Sequence, residues 1–355
     1  MGISAGDGRI HLSFDHHDVP LNYRVSQAGV ALDPAAHAWS AALFGPTLHA
    51  LPGAPAAGPW RPVTYPRFER VPDGGGGGDL LFEMRIGASG SGDSWLYLWS
   101  SAAGSWSVIG RYLRGSNNNA YINGLDLVPS ANGSQLQVSW TWRETPDVVT
   151  NHDLCFASSP DLGRTWRSSA GQALGAAISP SSPGIAVFRI PQGSGILNQE
   201  AQAADRGAPQ SACAGCFHVL NRETVGGTLT WLHYWRSGSG GAWTRNPLRN
   251  HGLGALTQTG RRGKLAVHPV SGDVLAVLPA NSGSDIAVMV ARAAEGFAKW
   301  TEAWRGSGFD VEPLVDRYRW SGGGGVEAGR TLSLFANTAG GYPSRKVTVV
   351  DIEFE

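Results

Sequence analysis

Apolar and polar residues alternate along this chain in short runs. "QLQVSWTW" (135–142), "GKLAVHP" (263–269) and "DVLAVLP" (273–279) put every second side chain on one face, the period of a strand buried on one side. Longer stretches repeat a composite pattern of strand, Gly/Ser-rich turn and tryptophan: "SWLYLWSSAAGSWSVIG", "DLCFASSPDLGRTW", "TLTWLHYWRSGSGGAWTRNPL" and "DIAVMVARAAEGFAKWTEAW". The tryptophans that follow the turns are Trp106, Trp166, Trp243 and Trp300, with Trp60 in "GPWRPV" as another, spaced roughly 50 to 75 residues apart. That spacing suits four-stranded blades carrying some long loops, and no long amphipathic helix interrupts it. The pattern predicts an all-β chain folded as one β-propeller domain over residues 1–355, its last strand, near "KVTVVDIEFE", lying beside the N-terminal region.

Composition sharpens this. Of 355 residues 49 are Gly and 14 are Trp, while only 16% are charged, as suits tight turns and broad sheet faces. Formal net charge is zero, so no global field attracts nucleic acid, and any anionic ligand must be held by locally placed Arg. No apolar run reaches membrane-spanning length, and neither a nucleic-acid nor a membrane partner is expected. Three cysteines give no disulfide framework. Cys213 and Cys216 form a C-x-x-C with His218 and His233 downstream; a structural zinc or calcium ion at this spacing, which lacks a second cysteine pair, competes with buried or free thiols. No cofactor is required by the chemistry read below. "MGISAGDGRIHLSF" enters strand-like sequence at once, without a signal peptide, and reads as a start cut in mid-strand. Asn132 in "NGS" is a glycosylation acceptor if the chain is secreted.

"SSPDLGRTW" (158–166) fits Ser-x-Asp-x-Gly-x-Thr-Trp, the Asp-box of sialidases and other β-propellers. Its Asp161 and Gly163 shape a turn at the blade periphery, which speaks to fold and not to chemistry. "FRIP" (188–191) resembles the sialidase arginine motif but follows the box where sialidases have it before. Propeller ligands sit over the central channel, so polar residues at the ends of inner strands are the site candidates. These are His16 and His17 in "HLSFDHHDVPLNYRVS", Tyr65 in "TYPRFER", Arg85 in "FEMRIGASGSG", and Asn119 and Tyr121 in "NNNAYINGLDL". Arg143, Asn151 and His152 follow in "SWTWRETPDVVTNHDLCFA", then Asn198, Gln199 and Glu200 in "GILNQEAQAAD". The Gly/Ser run after Arg85 would let backbone approach a ligand closely.

These same pieces, in order over about the first 210 residues, resemble the BNR-repeat polysaccharide lyases, seven-bladed propellers that include ulvan lyases and fungal L-rhamnose-α-1,4-D-glucuronate lyases. The "FDHHDVPLNYRVS" wording is closer to the fungal branch. The resemblance implies a seven-bladed propeller here, with part of the first blade missing at the N-terminus together with a family histidine that precedes "GISAGDG". It also implies an extracellular protein, a monomer, acting on an anionic polysaccharide or oligosaccharide such as gum arabic or ulvan. His17 (with His16 as the alternative) would transfer the proton, Tyr65 would be a second acid/base, and Arg85 would neutralise the uronate carboxylate. Arg143, Asn151 and His152 would line the pocket, with Asn119, Tyr121, Asn198 and Gln199 as further substrate contacts.

The chemistry accounts for these residue types. β-Elimination removes the proton on carbon 5 beside a carboxylate, which needs a cation or neutral donors to stabilise the enolate-like intermediate. A His or Tyr then takes the proton and an acid protonates the departing oxygen. Two other readings compete: a sialidase-type glycoside hydrolase, against which the order of FRIP and Asp-box argues, and a non-catalytic glycan-binding propeller.

Overall fold

The computed structural model describes residues 1–54, 62–72, 78–130, 133–238, 241–248, 252–257, 259–310, 312–340 and 344–354, so Trp60 and Asn132 lie outside the described residues. Its strands fall into six successive antiparallel units. The first is Gly2–Ser4, Arg9–Ser13 and Tyr23–Val25. The second runs Val63–Arg70, Leu80–Ala88, Ser91–Ser100 and Ser105–Leu113, with the short strand His17–Val19 added on its inner edge. The third runs Asn119–Ser130, Gly133–Arg143, Asn151–Ser159 and Trp166–Arg167. The fourth is Ala201–Ala204, Phe217–Val225, Thr228–Arg236 and Trp243–Pro247, and the fifth Lys264–Val267, Val274–Ala280, Asp285–Ala291 and Trp300–Ser307. The sixth has Leu314–Val315, Thr331–Asn337 and Val347–Glu353.

The alternating runs read from sequence are inner and middle strands, and the four tryptophans take equivalent places. Trp166, Trp243 and Trp300 each open the fourth strand of their unit, and Trp106 is the second residue of its own. Each unit buries its faces against the next, leaving one hydrophobic cluster at each of the five junctions. Trp106 fills the junction of units one and two, Trp166 that of two and three, Trp243 flanks three and four, and Trp300 closes four and five. A flat ring of this size shields two sheet faces at once, which explains its recurrence where a turn brings the outermost strand back.

The first strands of the units lie side by side in chain order and surround a channel of about 670 Å³. Met1, Arg67, Leu125, Gln202, Lys264 and Leu314 line it, one from each unit, which is the radial arrangement of a propeller. Six units are present among the described residues, where seven were expected from the resemblance. The strand expected to close against the N-terminal region, Val347–Glu353, pairs with Thr331–Asn337, and no hydrogen-bonded sheet among the described residues links unit six back to unit one.

At the far end of the channel the guanidinium of Arg206 reaches Glu69 at 2.7 Å and Asp126 at 3.3 Å, while Arg317 pairs with Asp126 and lies 3.7 Å from Glu69. Gln202 donates to Asp126 at 2.8 Å. This network ties units two, three, four and six together around the axis.

The cysteine expectation is corrected. Cys213 and Cys216 are joined as a disulfide, so they are neither free thiols nor metal ligands. His218 and His233 hydrogen-bond to each other at 3.0 Å and are packed by Phe297. Among the described residues no group of three or more His, Cys, Asp or Glu could hold a metal ion.

Candidate active site

In an antiparallel four-stranded unit the start of the first strand, the end of the second and the start of the third share one edge. Tyr65, Arg85, Asn119, Tyr121, Arg143, Asn151, His152 and the 198–200 segment therefore all belong to one mouth of the channel. The turn around Asp161 follows a third strand and lies at the opposite edge, on the periphery. There the Asp161 carboxylate accepts the Thr165 N–H at 2.8 Å, the Thr165 hydroxyl at 2.7 Å and the Ser159 hydroxyl at 2.8 Å. Arg189 of "FRIP" is 81% exposed and holds Asp153 at 2.8 Å, so its charge is spent outside the mouth.

Arg85 is the centre of the group. Its side chain is 3% exposed, and its Nη2 donates to Asp18 at 2.5 Å and to the Thr64 hydroxyl at 2.8 Å. Nη1 donates to the Tyr121 hydroxyl at 3.3 Å, and the Ser89 hydroxyl meets that same phenol at 2.8 Å. The guanidinium carbon lies 5.1 Å from the centre of the Tyr65 ring and 5.8 Å from that of Tyr121, and the two rings are 5.8 Å apart. Arg143, half-buried, approaches Tyr121 to 5.4 Å while donating to the carbonyls of Thr145 and Pro146. Arg85 and Arg143 thus converge on one phenol. Burial, reinforced by neighbouring Tyr121, pushes the Tyr65 phenol up, and the positive charges of Arg85, Arg262 and Arg143 only partly offset this. Tyr65 is held in its protonated form.

The Gly/Ser run acts differently from expectation. A Cβ on Gly92 would stand 2.6 Å from Asn119 Oδ1 and 3.1 Å from the aliphatic stem of Arg85. The bare backbone makes room for the site's own side chains.

The two histidines separate. His16 Nε2 accepts the Asn22 N–H at 2.8 Å, its Nδ1 is buried, and burial holds its pKa down. His17 is exposed, its side chain makes no hydrogen bond to a described residue, and its backbone pairs with Thr64 across the strand pair at the mouth. Asn119 and Asn151 are buried opposite Arg143 on its two flanking strands, each with a side-chain oxygen that has no hydrogen-bond partner. Asn151 donates to the Ile196 carbonyl at 3.0 Å, and Asn198 is buried beside it, its carbonyl accepting from Arg262 Nε at 2.9 Å. Gln199, in the left-handed region at φ 60°, lines the channel. His152 stands apart: it pairs across from Trp142, one position off the Arg143–Asn151 row, with Glu144 at 3.6 Å and Asp153 at 3.5 Å.

Glu200 is not a free acid. It is fully buried, paired with Arg222 and accepting the Gly263 N–H at 3.0 Å. Asp18, Thr64 and Arg262 were missed by the sequence reading. Asp18 and Thr64 adjoin residues that were singled out. Arg262 precedes the inner strand of unit five just as Gln199 precedes that of unit four, so repeat position alone would have found it.

The family model of the BNR repeat-containing family matches residues 1–251. Among solved structures, the chain is similar to polysaccharide lyase Uly1, at 17% identity and TM-score 0.64 over 99% of this chain and 76% of that one. It is also similar to a PL25 ulvan lyase bound to -[GlcA(1-4)Rha3S]-, at 13% identity and TM-score 0.65 over 99% and 78%. The α-L-arabinofuranosidase Arb93A from Fusarium graminearum aligns more loosely, at 10% identity and TM-score 0.50 over 98% and 90%. No curated protein matches in sequence. With the family match spanning well over half its length, the chain belongs to the BNR repeat-containing family.

Proposed function

We propose that the protein is a polysaccharide lyase that cleaves a glucuronate-containing glycan by β-elimination at the tyrosine–arginine mouth of its channel. The observation that carries this is the convergence of Arg85 and Arg143 on the Tyr121 ring with Tyr65 beside them. The uronate carboxylate sits near the Tyr121 hydroxyl between the two guanidiniums, which neutralise it and make the carbon 5 proton removable. His17, exposed and unengaged, takes that proton. The C–H electron pair becomes the C4=C5 double bond, the C4–O bond breaks, and the Tyr65 phenol, kept protonated by burial, gives its proton to the leaving oxygen. The likeness in fold to ulvan lyases supports the reading, as does the order of matching sequence pieces.

One observation favours a second reading. Asp18 already occupies one edge of Arg85, as suits a propeller that binds an acidic glycan without cleaving it. Incubation with gum arabic and with ulvan separates the two. Ultraviolet absorbance of an unsaturated uronate, growing with time, supports the lyase; binding without that chromophore leaves only the lectin-like reading, and a saturated reducing-end product without it means hydrolysis.

A further inference from the structure

Three carboxylates line the channel, and all three are engaged. Glu69 serves Arg206 and Arg317 at the far end, and Glu200 serves Arg222. Glu312 binds Arg262 through Nη1 at 3.0 Å and its backbone N–H at 2.9 Å. The cations are not matched in the same way. Arg67 lines the channel two residues beyond Tyr65 and makes no ion pair with a described residue; Glu83, across the strand pair, is buried with its carboxyl pushed up to about 7 by desolvation. Lys264 lines the channel from unit five, three units on; its ammonium hydrogen-bonds the Gly263 carbonyl at 3.1 Å and feels Glu312 and Glu200, each of which is already paired with an arginine. Arg262, Arg67 and Lys264 feel one another's charge, and burial pulls both Arg67 and Lys264 down. Glu83 offsets part of this for Arg67, as do Glu312 and Glu200 for Lys264, but none of the three forms an ion pair with either cation, and a polar cavity is where a directly bonded anion can be supplied.

We infer that the axial channel holds a small oxyanion bound by Arg67, Lys264 and the free edge of Arg262, deeper than the tyrosine–arginine mouth. The ligand is of the sulfate, phosphate or carboxylate class, free in solution or carried on an acidic sugar. It ties the inner strands of units two and five across the axis, and it does so whether or not the chain cleaves a glycan.

The test follows Tm while sodium sulfate, and separately sodium glucuronate, is titrated in the millimolar range at fixed ionic strength. A rise that grows with the logarithm of anion concentration above its Kd is expected, about 3–4 °C at roughly a hundred times that Kd. Sulfate alone acting identifies a free anion; glucuronate alone acting identifies a sugar-borne one. Arg67→Met and Lys264→Met should lose the response, yet match or exceed the wild-type Tm in anion-free buffer, because each removes a half-buried like charge. Lys299→Met, an exposed control, should keep it. If a Met variant does not fold, Arg67→Gln and Lys264→Gln read by calorimetric titration replace it. No rise in the wild type, or an equal rise in every variant, overturns the inference.

Discussion

Replacing Arg85 by alanine tests the site at its centre. The side chain is 3% exposed, and it joins Asp18, Thr64 and Tyr121 while lying against two tyrosine rings. Its loss acts on folding and on chemistry to different degrees. Asp18 is 35% exposed and rehydrates when its partner goes, so the broken pair costs about 1–2 kcal/mol, or a fall in Tm of roughly 1–3 °C for a chain of this length. In the reaction, the developing charge loses a preorganised cation, worth about 3–4 kcal/mol, or a fall in kcat of ~10²–10³. Arg85→Lys keeps the charge, but one ammonium cannot serve Asp18, Thr64 and Tyr121 in the same geometry, so a loss of ~10-fold is expected. The assay is initial rate of unsaturated-uronate formation across substrate concentrations, giving kcat and KM separately, with circular dichroism to verify folding. A folded Arg85→Ala protein whose kcat stays within about threefold of wild type refutes the reasoning, because the carboxylate would then be neutralised elsewhere.

The other predictions follow from local geometry. His17→Ala should lower kcat by ~10²–10⁴ with little change in Tm, whereas His16→Ala should lower Tm by ~1–3 °C through the orphaned Asn22 N–H and leave kcat largely intact; the reverse result exchanges their roles. Asp161→Ala removes three hydrogen bonds from a peripheral turn and should cost ~1–3 °C in Tm at unchanged kcat, measured on the folded fraction. Glu83, raised from 4.5 to about 7 by burial, binds a proton more readily folded than unfolded, so its contribution is present at low pH and is lost as pH rises through about 7. Glu83→Gln should therefore match wild type below about pH 4.5 and exceed it by on the order of 3 kcal/mol above pH 8 in denaturant melts. A difference independent of pH would mean that the carboxyl does not change its protonation on folding.

Strand periodicity and turn composition made most of the fold legible. A strand buried on one side must alternate, and a tryptophan that returns after each turn must sit on the outermost strand, as Trp106, Trp166, Trp243 and Trp300 do. The site candidates were legible as strand ends because one edge of every unit meets the same mouth. What escaped depends on register between distant segments. Asp18 reaches Arg85 only because His17–Val19 pairs with the start of Val63–Arg70, and no local pattern encodes that pairing. His16 looked equivalent to His17 until its ring nitrogen was seen to cap a backbone N–H six residues on. His152 looked like a pocket residue, but it is the next residue after Asn151 along the strand, paired with Trp142 and lying beside Glu144 and Asp153. The Cys213–Cys216 bridge was hidden by an odd cysteine count, which argued against any disulfide.

Units two and three are distinct meanders, yet a parallel bridge between Gly92 and Asn119 fuses them into one continuous eleven-stranded sheet. Tyr65, Arg85, Asn119, Tyr121, Arg143 and Asn151 all stand on that sheet, while units four, five and six are separate sheets that meet it through side chains. Backbone amides within one hydrogen-bonded sheet tend to open together, whereas neighbours joined only by packing can open alone. The candidate site thus rests on a single cooperative block. Fraying at the sixth unit would loosen the channel wall and its far-end ion network while the spacing of the two arginines about the tyrosine persisted. In that sense the molecule has a keel and a hull, and the candidate site is built into the keel.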